Sequence, residues 1–151
     1  MRDDVGQLLW IGFTGTTLPA TVRDRLDRGA AGATVLFKRN LVYARGGDGA
    51  LAQEVCDLDA LVALTGELHR RAPDGTPTLV AVDHEGGVVQ RVRAPATQWP
   101  PMLAHDGLAP GDDARIAEQV GRAMGDELRA LGFDVDFAPV LDVHTNPHNP
   151  I

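Results

Sequence analysis

The chain has 151 residues, of which 44% are hydrophobic and 23% charged, values typical of one globular domain and not of a disordered segment. Acidic residues outnumber basic ones by 21 to 14, giving a net charge of −7, and the arginines are scattered. This charge distribution argues against a nucleic-acid partner. The first residues, MRDDVGQLLWIGF, carry acids where a signal peptide needs positive charge, and their apolar run is too short for a membrane span. We therefore expect a cytoplasmic protein with no membrane partner.

Short apolar runs rich in β-branched or aromatic residues predict four β-strands. They cover residues 8–13, 33–37, 78–82 and 135–143. Most of these runs are apolar on both faces, as strands of a parallel sheet are when helices cover both sides.

The segments between these strands predict helices, because apolar residues recur three or four positions apart. The predicted helices fall within residues 18–32, 50–71 and 112–132. The single cysteine, Cys56, cannot form an internal disulfide and is expected to be a small buried residue on the second helix. In the third helix, Asp112 and Asp113 occupy the first turn, where the helix dipole favours acids, and Gly132 marks the end.

This order of strands and helices predicts an α/β fold with right-handed crossovers, either an open doubly wound sheet or the start of a (β/α)8 barrel. The absence of Gly-x-Gly-x-x-Gly after the first strand disfavours a dinucleotide-binding sheet. A barrel needs eight strands and about 250 residues. We therefore expect residues 1–151 to be the amino-terminal fragment of one barrel domain, with about four parallel strands and three intervening helices, which needs the rest of the barrel for a complete fold.

Polar residues crowd the carboxyl ends of the predicted strands, which share one edge in a parallel sheet. They are Thr14 and Thr16, then Lys38, Arg39 and Asn40, then residues 83–85, then Asp142 and His144. That edge is where such folds place their chemistry. The basic pair in residues 38–40 either binds an anion or solvates a loop. Trp10 and Trp99 are expected to serve packing and not to form sugar platforms.

The stretch AVDHEGGVVQRV, residues 81–92, carries the strongest chemical signal. Asp83 follows the third predicted strand directly, and Gly86 with Gly87 permits a turn or the close approach of a ligand. After that turn, Gln90 and Arg91 are expected to fold back toward the same pocket. A carboxylate and a guanidinium suit a ligand with many hydroxyls, whereas the alternative is a structural salt bridge within the loop.

Two further combinations of side chains remain open. Glu85 and Asp142 are a candidate carboxylate pair of the kind that glycosidases use, at about 5 to 5.5 Å for retention or about 6.5 to 9.5 Å for inversion, although each can instead support a loop or bond backbone amides. Asp142, His144 and His148 with His84 are candidate ligands of a divalent metal. The prolines and asparagines of DVHTNPHNP are more typical of an ordered turn, so we expect neither a metal nor a cofactor.

VAVDHEGGVVQRV resembles the hallmark of the family 3 glycoside hydrolases. Further segments occur in the order seen in the bacterial β-N-acetylhexosaminidase branch: IGFTGTTLP, GATVLFKRN, WPPML and LGFDVDFAPVLDVHTNPHNPI. FKRN and EGGVVQR together favour that branch over the β-glucosidase branch, which is the alternative within the family.

The resemblance implies a TIM-type barrel and retaining hydrolysis through a covalent glycosyl-enzyme, with terminal N-acetylglucosamine as the sugar released, in carbohydrate metabolism or peptidoglycan recycling. Asp83 and Arg91 match the pair that binds the hydroxyls of that sugar. Glu85, Gly86, Gly87 and Asp142 would support the loop. The family's nucleophile and its acid/base histidine have no counterpart before Ile151, so no catalytic residue is assigned and the isolated chain is expected to be inactive. An open-sheet module that binds an anionic metabolite or metal is the alternative outside the family.

Overall fold

The computed structural model describes residues 5–46, 53–105, 111–141, 145–146 and 148. In chain order the strands are β1 (Trp10–Ile11), β2 (Ala33–Leu36), β3 (Tyr43–Gly46), β4 (Gln53–Cys56), β5 (Leu79–Val82), β6 (His84–Gly86), β7 (Val89–Gln90) and β8 (Val135–Asp136). The α-helices between them are α1 (Ala20–Asp27), α2 (Leu58–Leu68) and α3 (Asp112–Ala130).

The main sheet has the strand order β1-β2-β5-β8, and every neighbouring pair is parallel. Along the chain, one α-helix lies between each strand of this sheet and the next strand of the sheet. This arrangement confirms the prediction of an α/β fold with four parallel strands and three intervening helices. Because the strands are parallel, their carboxyl ends share one edge, which we call the upper edge.

The sheet is strongly curved. Trp10 on β1 and Phe137 just after β8 lie on its two outermost strands, which would be about 14 Å apart in a flat sheet of four strands. Their ring centroids are nevertheless only 5.4 Å apart. The register places both side chains on the same face as Ala33 and Ala81. This concave face, which also carries Val35 and Leu79, is the inner face of a barrel-like sheet.

The opposite, convex face carries the hydrophobic core. Leu36, Val80 and Val82 are fully buried and belong to one cluster with apolar side chains of the helices: Val22, Leu26, Leu61, Leu64, Leu68, Met124 and Leu128. Withdrawing this apolar surface from water holds the helices against the sheet. No helix in the described ranges is long and apolar enough to cross a membrane.

The second predicted helix differs from the structure at its beginning. Helix α2 starts at Leu58, with Asp57 as its cap, since the Asp57 side chain accepts a hydrogen bond from the backbone N–H of Ala60 at 2.9 Å. Residues 53–56 form β4, which pairs with β3 in an antiparallel hairpin. The expectation that Cys56 lies on a helix was therefore wrong, although the residue is buried, and burial raises the pKa of its thiol to about 11.

The third predicted helix is confirmed in detail. Helix α3 carries Asp112 and Asp113 in its first turn. Gly132 follows its end with a positive φ of 84°, a conformation that glycine adopts at low cost. A Cβ atom there would also lie only 2.4 Å from the Thr65 hydroxyl oxygen, so the end of α3 is fitted closely against α2.

Candidate functional site

Asp83 and Arg91 lie together at the upper edge of the sheet. Asp83 directly follows β5, and its Oδ2 is 3.5 Å from Nη2 of Arg91. Both side chains are about one-quarter exposed, at 26%. The Arg91 Nε is buried and has no hydrogen-bond partner among the described residues. The two side chains are thus neighbours and partly exposed, and their role toward a ligand stays a prediction.

The hairpin of β6 and β7 returns the chain to Asp83. Gly86 and Gly87 both have positive φ angles, of 84° and 57°. A Cβ on Gly86 would lie 2.3 Å from the backbone oxygen of Pro100, and the Gly87 N–H donates to the Trp99 carbonyl at 2.9 Å. The glycines therefore serve both the turn and the close approach of residues 99–101 of the same chain.

The Gln90 side chain points into the protein and not toward Asp83, which corrects the expectation that it shares a pocket with Arg91. Its side chain is buried and donates to the carbonyls of Val92 at 2.9 Å and Thr97 at 2.6 Å. Its Oε1 accepts from the Trp99 N–H at 2.9 Å. Because consecutive side chains of a strand point to opposite sides, Gln90 ties down the following loop while Arg91 faces Asp83.

Sequence reasoning missed Asp136, a carboxylate on β8 in register with Val82. Its Oδ1 accepts the backbone N–H of His84 at 2.8 Å. The pKa of Asp136 is raised to about 6, mainly by burial and also by the negative charges of Asp83 and Glu85, whereas the hydrogen bond from His84 opposes the shift. The alternation of acidic and apolar residues in VDF was the available signal for a second carboxylate position near Asp83.

His84 is fully buried beneath this edge. Its Nδ1 accepts from the Val92 N–H at 3.4 Å, and its Nε2 has no hydrogen-bond partner among the described residues. Burial lowers the pKa of His84 to about 4; Glu127 opposes this shift and Arg91 reinforces it. The imidazole is therefore neutral at pH 7 and packs within the protein.

The pairing of Glu85 with Asp142 and the metal hypothesis depend on residues outside the described part of the chain. Asp142 and His144 are among them, so both hypotheses stay predictions. His148 is exposed, and its N–H donates to the side chain of Asn146 at 3.0 Å. Within the ranges that are described, no three His, Cys, Asp or Glu side chains are grouped as metal ligands are.

The polar side chains of residues 38–40 bind the protein itself. Lys38 Nζ lies 2.7 Å from Oε2 of Glu54, and Arg39 Nε donates to the Phe13 carbonyl at 3.1 Å. The buried Asn40 also donates to that carbonyl, at 3.0 Å. These contacts favour the structural interpretation of residues 38–40 over an anion site.

Trp99 serves packing, as predicted. It is partly buried against the core, and its indole N–H donates to Oε2 of Glu127 at 3.2 Å. Trp10 packs against Phe137 on the concave face.

Comparison with known proteins identifies the family. The family model described as "Glycosyl hydrolase family 3 N terminal domain" matches residues 1–151. A curated "Beta-hexosaminidase" of Stenotrophomonas maltophilia is 39% identical over 139 residues, which are 90% of this chain and 37% of that protein. The chain spans between 34% and 37% of the length of the first curated relatives.

Solved structures agree with the sequence comparison. NagZ from Neisseria gonorrhoeae in complex with N-trifluoroacetyl-D-glucosamine has a TM-score of 0.69 at 32% identity, covering 89% of this chain and 36% of that one. A glycoside hydrolase family 3 β-N-acetylglucosaminidase from Paenibacillus sp. has a TM-score of 0.76 at 31% identity, covering 99% of this chain and 26% of that one. The likeness confirms the interpretation of the curved parallel sheet as part of a TIM-type barrel. By sequence and by structure, the chain belongs to glycosyl hydrolase family 3.

Proposed function

We propose that this chain is the amino-terminal part of a retaining β-N-acetylhexosaminidase that releases terminal N-acetylglucosamine from a small saccharide. The observation that carries the proposal is the Asp83 and Arg91 pair at the upper edge of the sheet, 3.5 Å apart and partly exposed. Its support in the comparisons is the similarity to curated proteins named "Beta-hexosaminidase" and to a NagZ bound to a glucosamine derivative.

The chemistry of the pair fits a sugar. The Asp83 carboxylate is an acceptor for two hydroxyl donors, and the Arg91 guanidinium is a donor that needs acceptors. Charge-assisted hydrogen bonds of this kind are about twice as strong as neutral ones. We therefore assign substrate binding to Asp83 and Arg91, and loop support to Glu85, Gly86, Gly87 and Asp142.

We infer from the resemblance that the nucleophile and the acid/base histidine lie beyond Ile151. The complete protein, in this proposal, continues through the remaining strands of the barrel, and those strands supply the covalent and proton-transfer steps. A chain that binds sugar without a nucleophile lacks the greater part of the rate enhancement.

The proposed specificity is tested by steady-state kinetics of the complete protein. We expect 4-nitrophenyl N-acetyl-β-D-glucosaminide to be hydrolysed with a kcat/KM at least about 100-fold above that for 4-nitrophenyl β-D-glucoside, because a site built to hydrogen-bond an amide rejects an analogue without one. A preference for the glucoside would assign the protein to the β-glucosidase branch. No hydrolysis of either substrate would refute the glycosidase proposal.

The proposal also covers the cellular location and role of the enzyme. We place the enzyme in the cytoplasm, in carbohydrate metabolism or in recycling of peptidoglycan fragments, on the strength of the branch that the motifs resemble. Cell fractionation with an antibody tests the location. Release of N-acetylglucosamine from a peptidoglycan-derived disaccharide, compared with chitobiose, tests the role, and equal or better turnover of chitobiose would favour general saccharide breakdown.

A further inference from the structure

The hairpin formed by β3 and β4 holds the segment that carries Arg91. The Tyr43 hydroxyl donates to the backbone carbonyl of Arg91 at 2.5 Å. Thirteen positions later along the hairpin, the Cys56 N–H donates to the Ala94 carbonyl at 2.6 Å. Tyr43 and Cys56 are partners in the hairpin register. One end of this hairpin therefore makes two hydrogen bonds to residues 91–94.

Charged side chains add to the same contact. Oε2 of Glu54 on β4 lies 4.0 Å from Nε of Arg93. Glu54 is held in turn by Lys38, whose ammonium contacts both carboxylate oxygens and lowers the pKa of Glu54. Lys38 Nζ also lies 5.5 Å from the centroid of the Tyr43 ring. Lys38 thus contacts the Tyr43 ring, and Glu54 contacts Arg93 in the segment to which Tyr43 is bonded.

The Tyr43 hydroxyl is suited to a permanent donor role. It is half-buried, and burial raises its pKa to about 12. The phenol keeps its proton throughout the neutral range, so the hydrogen bond to Arg91 does not depend on pH there.

The Arg91 side chain depends on its backbone for its position. Its ion pair with Asp83 is at 3.5 Å, longer than a well-formed hydrogen bond between such groups. By contrast, the backbone from Arg91 onward is held at two successive carbonyls: Tyr43 donates to that of Arg91, and Gln90 donates to that of Val92 at 2.9 Å. The contacts on this backbone therefore restrict where the Arg91 guanidinium can lie relative to Asp83.

We propose that the β3 and β4 hairpin is a positioning element for sugar binding, and that Tyr43 is the positioning residue that sets Arg91 beside Asp83. This inference rests on the proposed function, since it assigns Tyr43 to the sugar site that Asp83 and Arg91 form. It also explains why a hairpin interrupts the chain between β2 and α2. Tyr43 acts through Arg91 and does not itself touch the sugar.

The test is a double-mutant cycle in the complete protein with 4-nitrophenyl N-acetyl-β-D-glucosaminide. Tyr43→Phe removes only the hydroxyl, and we expect KM to rise about 5- to 10-fold with kcat within about twofold, as for the loss of one hydrogen bond that serves binding. In an Arg91→Ala background the same substitution should change KM less than about twofold, because the group that it positions is gone.

Thr65→Val is the matched control. The Thr65 hydroxyl is buried and donates to the Leu131 carbonyl at 2.9 Å, where α3 ends, away from the upper edge. This variant loses a buried hydrogen bond of similar kind, so it should lower thermal stability and leave KM unchanged. If Tyr43→Phe behaved like Thr65→Val, or if its effect were equal in both backgrounds, Tyr43 would be merely structural and the inference would be overturned.

A crystal structure of the Tyr43→Phe variant separates this inference from the proposed function. We expect the segment 91–94 to shift and the distance between Asp83 and Arg91 to lengthen, whether or not the protein hydrolyses the glucosaminide. An unchanged Arg91 position would overturn the inference even in an active enzyme. A displaced Arg91 in a protein without glycosidase activity would support the positioning geometry and refute only the proposed function.

Discussion

Asp136 is a carboxylate whose pKa burial raises from 3.8 to about 6. Between about pH 4 and pH 6 the folded protein therefore binds more protons at this group than the unfolded chain does. The free energy of unfolding must fall as pH rises through that window, and the loss is complete above it. Asp136 is thus a group that the fold holds at a cost at neutral pH.

Asp136→Asn should remove this dependence on pH, because the amide does not titrate and its oxygen still accepts the His84 N–H. We expect the stability of the variant relative to the unmodified protein to increase from pH 4 to pH 6 and then to stay constant. Urea unfolding at pH 4, 5, 6 and 7 measures the difference.

His84 contributes in the opposite direction over a similar range, since its pKa is lowered to about 4 and its stability contribution is lost as pH falls below its ordinary value of 6.5. It is present in both proteins, so its contribution cancels in the comparison. A difference between the two proteins that does not vary with pH would contradict the assignment to Asp136.

The sequence predicts the residues of the site where local rules decide their position. Asp83 is the first polar residue after an apolar strand, and the two glycines require a turn, so its meeting with Arg91 follows from order along the chain. The orientation of Gln90 and the contact of Tyr43 with Arg91 depend on which loops pack together. Residues 43 and 91 are 48 positions apart, and no pattern in either segment predicts the other.

At the scale of elements, the hairpin of β6 and β7 depends on Gly86. Alanine here would have to adopt the positive φ of Gly86, which is unfavourable for a residue with a side chain. Its Cβ would also lie 2.3 Å from the Pro100 backbone oxygen. We expect Gly86→Ala to lower the free energy of unfolding by at least about 2 kcal/mol, as strained and overpacked sites do, with loss of activity as Arg91 is displaced. Thermal and urea unfolding measure the change.

Gly66→Ala is the control for that substitution. Gly66 lies on an exposed part of α2, and a Cβ there would have no neighbour within 4 Å. Alanine should raise the free energy of unfolding by about 0.5–1 kcal/mol, because it is the better helix former. Equal effects at the two glycines would show that backbone conformation and space at Gly86 do not matter.

The parallel strands were predictable because they lie in short runs that are apolar on both faces, and the helices because their apolar residues recur every three or four positions. The hairpin of β3 and β4 was not, since Val55 continues a spacing of three to four residues that also fits the following helix. Asp57 was the missed signal: a capping residue there predicts a helix that begins at Leu58.

At the scale of the whole molecule, the curved sheet has β1 and β8 as its outermost strands, and its concave face leaves Trp10 40% and Phe137 46% exposed. Aromatic surface of this kind is costly to leave in water. We propose that the remaining strands of the barrel cover it in the complete protein. The isolated 151-residue chain should then show no turnover of 4-nitrophenyl N-acetyl-β-D-glucosaminide, and detectable turnover that co-purifies with it would contradict the assignment of catalysis to later strands.

We propose that Asp83, beside Arg91, binds the sugar at the point of cleavage. The most direct measurement is kcat/KM of the complete protein and its Asp83→Ala variant on 4-nitrophenyl N-acetyl-β-D-glucosaminide, with circular dichroism to verify the fold of both. We predict a loss of at least about 100-fold, since a charged hydrogen-bonding group at the reacting sugar stabilises the transition state by several kcal/mol. A folded Asp83→Ala variant with unchanged kinetics would contradict the claim.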